Sequence, residues 1–271
     1  MSLDELIARQ SRWASDRWPG YRGRRAPCLE DNLFYPMSAE VHRQFVEGSG
    51  GELGTDEKAG KMSSLRSSSA LAYNFFAPWI GCDVTPLGAA IGQRLSDSII
   101  SFEQKFRHGL SSMPPNVDVV LDVHQARPLA IECKFTEPYG PKRLHPEIDD
   151  KYFVGHSGRW LEVGLPKCQE LAQSLGRTVN FRRLGVGQLL KHFLGLSRTT
   201  KSPPRLVCLW FDSRSEEAQE HREELDIFRS HLDPSIEFSA LTYQEAFSSI
   251  SRAHEPMKGY FDYLEGRYFS A

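Results

Sequence analysis

Apolar residues recur along this chain with two different periods, and the period predicts which segments are strands and which are helices. Short apolar runs bounded by polar turns are typical of strands, and four segments show them: residues 117–123, 129–135, 205–211 and 236–242. Apolar positions at helical spacing predict helices at residues 3–18, from Ser38 onward, and at residues 88–110, 165–175, 186–196, 215–231 and 243–251. This order predicts an α/β fold with a central mixed β-sheet flanked by helices.

The chain before this core is less regular. Residues 47–69 are rich in Gly and Ser and too polar for a core, which predicts a loop or lid. Residues 70–81 then become apolar and are expected to return to the core. We therefore divide the chain into an N-terminal extension of helices and loops, residues 1–87, packed on a core domain of residues 88–271.

Two of the predicted strands, residues 117–123 and 129–135, are joined by a polar turn and predict a β-hairpin. With the turn centred near residue 125, Asp118 lies opposite Glu132, because residues equidistant from a turn face each other. Side chains alternate between the two faces of a strand, so Glu132 and Lys134 point the same way. Three charged side chains therefore share one face of an otherwise apolar strand pair.

Charges in this position need an explanation, because burying an uncompensated charge costs several kcal/mol. A divalent cation between Asp118 and Glu132 would compensate them. The alternative is a surface hairpin with an ordinary cross-strand ion pair. Cys133 lies between Glu132 and Lys134 but points to the opposite, apolar face, which favours a buried structural thiol over a nucleophile.

Composition excludes several classes of protein. With 40% hydrophobic residues and a formal net charge of −2, the chain has ordinary globular values. No apolar run approaches the roughly 20 residues of a membrane helix, and the N-terminal segment lacks the features of a secretory signal, which predicts a cytoplasmic protein. The five cysteines are widely spaced and form no CxxC pair, so neither a disulfide framework nor a zinc site is predicted.

Charge is unevenly distributed along the chain although its net value is small. Residues 177–205 contain seven Lys or Arg and no acid, whereas residues 212–226 contain seven acids and two Arg. An anionic polymer would contact the first stretch, which makes Arg182, Arg183 and Lys191 candidate nucleic-acid-binding residues, unless the charges spread over several faces. The alternating arginines and aromatic residues near the N-terminus suit either nucleic acid or the anchoring of an N-terminal arm.

The order Asp118, thirteen residues, and then Glu132-Cys133-Lys134 resembles the active-site motif of the PD-(D/E)xK nuclease superfamily. Pro115 loosely matches the leading proline of that motif. The two halves of the motif lie on adjacent predicted strands, and the charged tripeptide interrupts an apolar strand, so the context supports the match more than the spacing alone.

The resemblance covers residues 88–211, and the stretch Ser68–Phe76 is in part similar to restriction-endonuclease-like proteins associated with bacterial genomic islands. One feature departs from the superfamily pattern. Its core has a strand between the first helix and the strand that bears the aspartate, but residues 111–116 leave little room for one. Either this strand is very short or the predicted helix ends before residue 110.

The resemblance implies a restriction-endonuclease-like core and metal-dependent hydrolysis of phosphodiester bonds. It implies that Asp118, Glu132 and the backbone carbonyl of Cys133 bind Mg²⁺, for which Mn²⁺ is a substitute. It also implies that Lys134 orients the attacking water and helps to deprotonate it.

Flanking helices are expected to complete the site. In the superfamily, a helix before the hairpin often contributes a further acid, which would be Glu103 here, unless Glu103 pairs with Arg107 on the helix rim. A helix after the hairpin often contributes a Gln or a basic residue, which matches Gln188 and Lys191. A solvated helix face is the alternative for these polar residues, above all for His192.

We therefore expect an Mg²⁺-dependent nuclease, an endonuclease rather than an exonuclease, that acts on DNA. The sequence leaves RNA, the strandedness of the substrate and its recognition sequence open. Cleavage of both strands by a subunit with one site would require a homodimer or two encounters. Two alternatives remain: a nucleic-acid-binding protein on the same fold without catalysis, and an interaction protein whose acid pair is only hydrogen-bonded.

Overall fold

A computed structural model of the chain describes residues 2–48, 51–55, 58–95, 98–110, 114–123, 127–140, 148–153 and 158–269. The helices in these ranges are α1 (Leu3–Arg17), α2 (Ala39–Gly48), α3 (Ser68–Phe76), α4 (Thr85–Ala90), α5 (Pro166–Ser174), α6 (Val186–Thr200), α7 (Glu216–Ser230), α8 (Tyr243–Ser249) and α9 (Tyr260–Leu264). The strands are β1 (Gly54–Thr55), β2 (Lys58–Ala59), β3 (Ser98–Lys105), β4 (Asn116–Val123), β5 (Leu129–Lys134), β6 (Arg205–Trp210) and β7 (Glu237–Thr242).

The centre of the fold is a five-stranded mixed sheet in the order β3-β4-β5-β6-β7. The first three strands form an antiparallel meander, and β6 and β7 run parallel to β5. Parallel neighbours require crossover connections, and α5 and α6 lie in the connection from β5 to β6 while α7 lies in that from β6 to β7. The predicted α/β fold with a mixed sheet flanked by helices is confirmed.

Helices cover both faces of the sheet. On the face that carries Glu132, Phe193 of α6 and Phe228 of α7 both contact Phe238 of β7 through edge-on rings. On the opposite face, Tyr73 of α3 packs on Phe102 of β3, with ring centroids 5.6 Å apart. Because both faces are covered, the central strands are apolar almost throughout, and charged residues on them are exceptional.

The prediction of one long helix at residues 88–110 is wrong. Helix α4 ends at Ala90, and Gly92 then adopts a left-handed conformation with φ of 70°, which is typical of a helix end. Residues Ser98–Lys105 form strand β3, on which Ile100 and Phe102 are buried while Ile99 is 53% exposed. The helix therefore ends early, and Glu103 lies on a strand rather than on a helix.

The predicted hairpin is confirmed in its strands and its register. Val119 pairs with Ile131 and Leu121 with Leu129, which places the centre of the hairpin at residue 125. Of the predicted turn, residues 124–126 lie outside the described residues. The paired residues end at Val119 and Ile131, and Asp118 and Glu132 are the next residues outward on the two strands.

The N-terminal part of the chain packs on the same core. The main hydrophobic cluster extends from Leu6 of α1 to Tyr268 near the C-terminus, and a smaller one is formed by Ala14, Ala26 and Leu65. Trp13 is covered by the guanidinium of the fully buried Arg267, whose carbon lies 4.3 Å from the ring centroid. These contacts favour anchoring as the role of Trp13. No helix of the described residues is long and apolar enough to cross a membrane.

Candidate active site

Three acidic residues form a row across three neighbouring strands. The pairs Phe102–Val119 and Gln104–Val117 enclose Glu103 and Asp118, and the last pair of the hairpin, Val119–Ile131, lies one residue before Asp118 and Glu132. Opposed residues on neighbouring strands are close in space. Strand β3 rather than a helix therefore brings the third acid to the predicted pair.

Glu132 is fully buried, and both of its carboxylate oxygens accept hydrogen bonds. Oε1 accepts a short hydrogen bond from Nζ of Lys134, and Oε2 lies 2.9 Å from Nε2 of His192. Nζ of Lys134 also donates to Oε1 of Gln188 at 3.1 Å. Gln188 and His192 are four residues apart on α6 and so share one helix face. That face contacts both charged residues of the Glu-Cys-Lys tripeptide.

Asp118 is tied to the backbone of the same tripeptide. Its Oδ2 accepts a hydrogen bond of 2.7 Å from the backbone N–H of Cys133. The carbonyl of Lys134 accepts from Phe211 at the end of β6, so alternation along the strand directs the N–H and the carbonyl of Cys133 toward β4. The Cys133 side chain lies in the core on the other face, as predicted, and burial raises the pKa of its thiol.

The charges of the site shift one another's pKa values. Burial raises the pKa of Asp118 well above its usual value, and the nearby Glu132 carboxylate raises it further. Burial would also raise the pKa of Glu132, but Lys134 and His192 outweigh it and lower this pKa to about 2. Burial would lower the pKa of Lys134, but Glu132 and Asp118 raise it on balance. The site therefore holds a carboxylate at position 132 and an ammonium at position 134.

Glu103 reaches the site through a strained backbone. Its φ of 52° is left-handed, which is uncommon for a residue other than Gly and costs on the order of 1–3 kcal/mol. Its Oε2 accepts a hydrogen bond of 2.7 Å from Nδ2 of Asn116, which also donates to the carbonyl of Gly48. A side chain at Gly48 would place its Cβ 2.7 Å from Cβ of Glu103, so the close approach of α2 requires glycine. Burial, opposed by the Asn116 hydrogen bond and reinforced by Glu52, raises the pKa of Glu103 to about 7.

We expect the variant Glu103→Gln to gain stability over the wild type as the pH rises. The pKa of Glu103 rises from 4.5 to about 7 on folding, so the folded protein binds the proton more tightly than the unfolded chain. Wild-type stability therefore falls between pH 4.5 and 7, by about 3 kcal/mol for this group. Glutamine removes that loss and keeps an acceptor for Asn116.

Urea denaturation at pH 4.5 and pH 8 measures this difference, with Glu170→Gln on the exposed surface of α5 as the control. The stability of Glu103→Gln relative to the wild type is expected to improve between the two pH values, and that of Glu170→Gln to stay constant. An equal difference between Glu103→Gln and wild type at both pH values would show that Glu103 is not protonated more readily in the folded state.

The three predicted nucleic-acid-binding residues lie in different environments. The guanidinium of Arg183 is largely buried, donating from Nε to Glu220 at 2.8 Å and from an Nη to the carbonyl of Gly140 at 3.0 Å. The side chain of Arg182 is exposed. Nζ of Lys191 is half-buried over the ring of Tyr152. None of the contacts described for these three residues is to Glu103, Asp118 or Glu132, whereas Gln188 contacts Lys134 directly.

His192 is the residue of the site that the sequence prediction did not select. The sequence predicted that Gln188 and Lys191 of this helix face the site, and a solvated helix face was the stronger alternative for His192. The structure buries His192 against Glu132. Glu52 is a second such residue, because its charge contributes to the raised pKa of Glu103.

The donor set suits a hard cation, because carboxylate and backbone carbonyl oxygens are the ligands that Mg²⁺ prefers. The raised pKa values of Asp118 and Glu103 indicate negative charge that is only partly compensated. However, no group of three or more His, Cys, Asp or Glu side chains in the described ranges is arranged to hold a metal ion. Each oxygen of Glu132 already accepts a hydrogen bond, so a bound metal would compete with Lys134 or His192 for that oxygen.

Comparison with protein families supplies an independent finding. The model of the family described as Restriction Endonuclease associating with ARP matches residues 7–269. No curated protein and no solved structure matches the chain. The family match extends over all the strands of the central sheet and over α2 and α6, which lie close to Glu103 and Glu132 respectively.

Proposed function

The chain belongs to the family of restriction endonucleases associating with ARP, and from this premise we propose that it hydrolyses phosphodiester bonds of DNA in a metal-dependent reaction. The observation that carries the proposal is the row of Glu103, Asp118 and Glu132 next to Lys134 on the central sheet. Membership in a restriction-endonuclease-like family indicates a nuclease that interacts with nucleic acid. The metal, the DNA substrate and the catalytic residues are our proposal.

Assignment to the PD-(D/E)xK superfamily is supported by the placement of its motif. Asp118 on β4 and Glu132 on β5 are the next residues after the Val119–Ile131 pair of the hairpin, and Lys134 lies on the same face as Glu132 and bonds to it. A chance match of the spacing would not require the residues to meet inside a sheet that is covered on both faces. Burying charged residues at such positions lowers the stability of the fold, which favours a functional role over a structural one.

Asp118, Glu132 and the carbonyl of Cys133 would hold Mg²⁺ or Mn²⁺. Bound there, the ion would lower the pKa of a water molecule and offset charge on the phosphate. Asp118 keeps one oxygen on the N–H of Cys133, so its orientation toward the tripeptide is fixed before any ligand arrives. Such preorganisation is what a site needs in order to bind without rearranging the backbone.

Lys134 would orient the attacking water and stabilise charge on the phosphate by donating hydrogen bonds from its ammonium. The charges of Glu132 and Asp118 raise its pKa, so it would accept a proton only when those charges are engaged elsewhere. Gln188 holds Nζ of Lys134 through its Oε1, which leaves its amide N–H groups to position water or phosphate. Glu103, with a pKa of about 7, suits a group that exchanges a proton with water near neutral pH.

Contacts to the phosphate backbone would come from the basic stretch. Arg182 is exposed and Lys191 lies on α6 one residue before His192, so both are proposed to contact phosphate. Arg183 is proposed to act indirectly, because its guanidinium ties the segment at Gly140 to α7 through Glu220. Cleavage of both strands of a duplex by this single row of acids would require a second copy of the chain or a second encounter.

The test is incubation of the protein with supercoiled plasmid, linear duplex and single-stranded DNA, and with RNA, in the presence of Mg²⁺ or Mn²⁺. We expect cleavage of plasmid that stops in excess EDTA. Full activity in EDTA would contradict the proposal. Binding of DNA without cleavage under any of these conditions would instead support a nucleic-acid-binding protein on the same fold. The observation that favours this alternative is that both oxygens of Glu132 already accept hydrogen bonds.

A further inference from the structure

The two partners of Glu132 differ in how freely they can move. The side chains of Glu132 and His192 are each 1% exposed, and their bonded atoms lie 2.9 Å apart. The carboxylate only accepts hydrogen bonds, so Nε2 of His192 is the protonated nitrogen of the ring and donates. The His192 ring is buried where α6 packs on the sheet, to which the adjacent Phe193 is also joined by its ring contact with Phe238 of β7.

Lys134, on the other oxygen, is less confined. Its side chain is 19% exposed and ends a flexible four-carbon stem. It also has a second partner already in place, since Oε1 of Gln188 lies 3.1 Å from Nζ. Lys134 can therefore leave Oε1 of Glu132 without losing all of its hydrogen bonds, whereas His192 cannot leave Oε2 without opening the core.

We propose that His192 is a positioning residue that fixes the Glu132 carboxylate through Oε2, so that Oε1 is the oxygen released by Lys134 to a divalent cation. This inference rests on the proposed function and assigns a role to a residue outside the PD-(D/E)xK motif. It follows that one face of α6 controls both charged residues of the tripeptide, with His192 holding the carboxylate and Gln188 receiving the ammonium. Residues that orient a ligand through a hydrogen bond are commonly worth about 10–100-fold in metal affinity.

A matched pair of variants tests the role of the N–H donor. His192→Gln keeps an N–H at a similar reach, whereas the side chain of His192→Asn is one carbon shorter and is expected not to reach Glu132. Titration calorimetry with Mn²⁺ is expected to show affinity within about threefold of wild type for His192→Gln and about 10–100-fold weaker for His192→Asn. The control is His108→Gln, because His108 is equally buried but contacts Tyr152 instead of Glu132.

If the wild type and His192→Asn bind Mn²⁺ with equal affinity, the proposal is overturned. A tenfold loss of Mn²⁺ affinity in His192→Gln would overturn it too, and this variant alone decides if His192→Asn does not fold. Crystal structures of the variants separate this inference from the proposed function. The Glu132 carboxylate is expected to change rotamer in His192→Asn and to stay in place in His192→Gln. If the wild type binds no Mn²⁺ and Glu132 still moves in this way, metal-dependent hydrolysis fails and the positioning role stands; if Glu132 does not move, the positioning role fails.

Discussion

Replacing Lys134 by alanine is expected to lower the rate of DNA cleavage by about 10³-fold or more while DNA affinity stays within a few-fold of wild type. Lys134 provides the ammonium beside the carboxylate pair, with Nζ bonded to both Glu132 and Gln188. An electrostatic contact made mainly in the transition state affects the rate, whereas affinity depends on the many phosphate contacts elsewhere. Single-turnover cleavage and a filter-binding assay measure the two quantities separately.

The control for this variant is Lys258→Ala. Lys258 is exposed and lies outside the basic stretch of residues 177–205. This control is expected to cleave like the wild type. Removing Lys134 leaves the buried Glu132 carboxylate with one partner, which lowers the free energy of unfolding by on the order of 3 kcal/mol. Thermal unfolding of Lys134→Ala is therefore measured first, and Lys134→Gln replaces it if the alanine variant does not fold. Cleavage by folded Lys134→Ala at the wild-type rate would remove Lys134 from the mechanism.

The hairpin and its charged face could be predicted from sequence because strand parity leaves few choices. A hairpin centred on residue 125 allows only one register, and this register places Asp118 opposite Glu132 and turns Cys133 away from both. The tripeptide stood out because the strand around it is apolar. A charge on a strand that is covered on both faces is a strong signal, and here it points to the centre of the site.

The strand that carries Glu103 was mistaken for a helix because its apolar residues have helical spacing by coincidence. Leu95, Ile99, Phe102 and Phe106 are separated by four, three and four residues, but Ile99 faces solvent and the strand buries Ile100 instead. Gly92 gave the opposing signal, since a glycine inside a predicted helix often ends it. The left-handed backbone at residue 103 has no sequence signature, because it depends on Asn116 and on the end of α2.

His192 could not be selected from the sequence for a different reason. Hydrophobic periodicity places a polar residue on the solvent side of a helix, unless a partner across the interface compensates its burial. That partner, Glu132, is 60 residues away in the chain. Long-range polar pairs of this kind follow from the packing of α6 on β5, which local pattern does not determine.

The charge of Asp118 makes the folded protein less stable than it would be without that charge. The pKa of Asp118 is raised from 3.8 by burial and by Glu132, so the folded state is disfavoured when the residue is ionised. An acid whose pKa is raised on folding therefore lowers the stability of the folded state as the pH rises above about 4. Function is expected to be the reason why a carboxylate is kept there.

Asp118→Asn is therefore expected to abolish Mn²⁺ binding and DNA cleavage together and to raise the free energy of unfolding at pH 8 by about 0.5–2 kcal/mol. The amide oxygen still accepts the N–H of Cys133, so the local backbone is preserved while the charge is removed. Calorimetry with Mn²⁺ and urea denaturation at pH 4 and pH 8 measure the two effects, and the gain in stability is expected only at the higher pH.

Asp233→Asn is the matched control for this experiment. Asp233 is buried and accepts hydrogen bonds of 3.0 Å from the backbone N–H groups of Lys167 and Cys168, at the start of α5. Losing its charge there is expected to weaken a favourable interaction with the helix N-terminus and so to lower stability, with Mn²⁺ binding unchanged. Wild-type Mn²⁺ affinity in Asp118→Asn would remove Asp118 from the metal site, and a loss of stability at pH 8 would show that its charge is compensated within the fold.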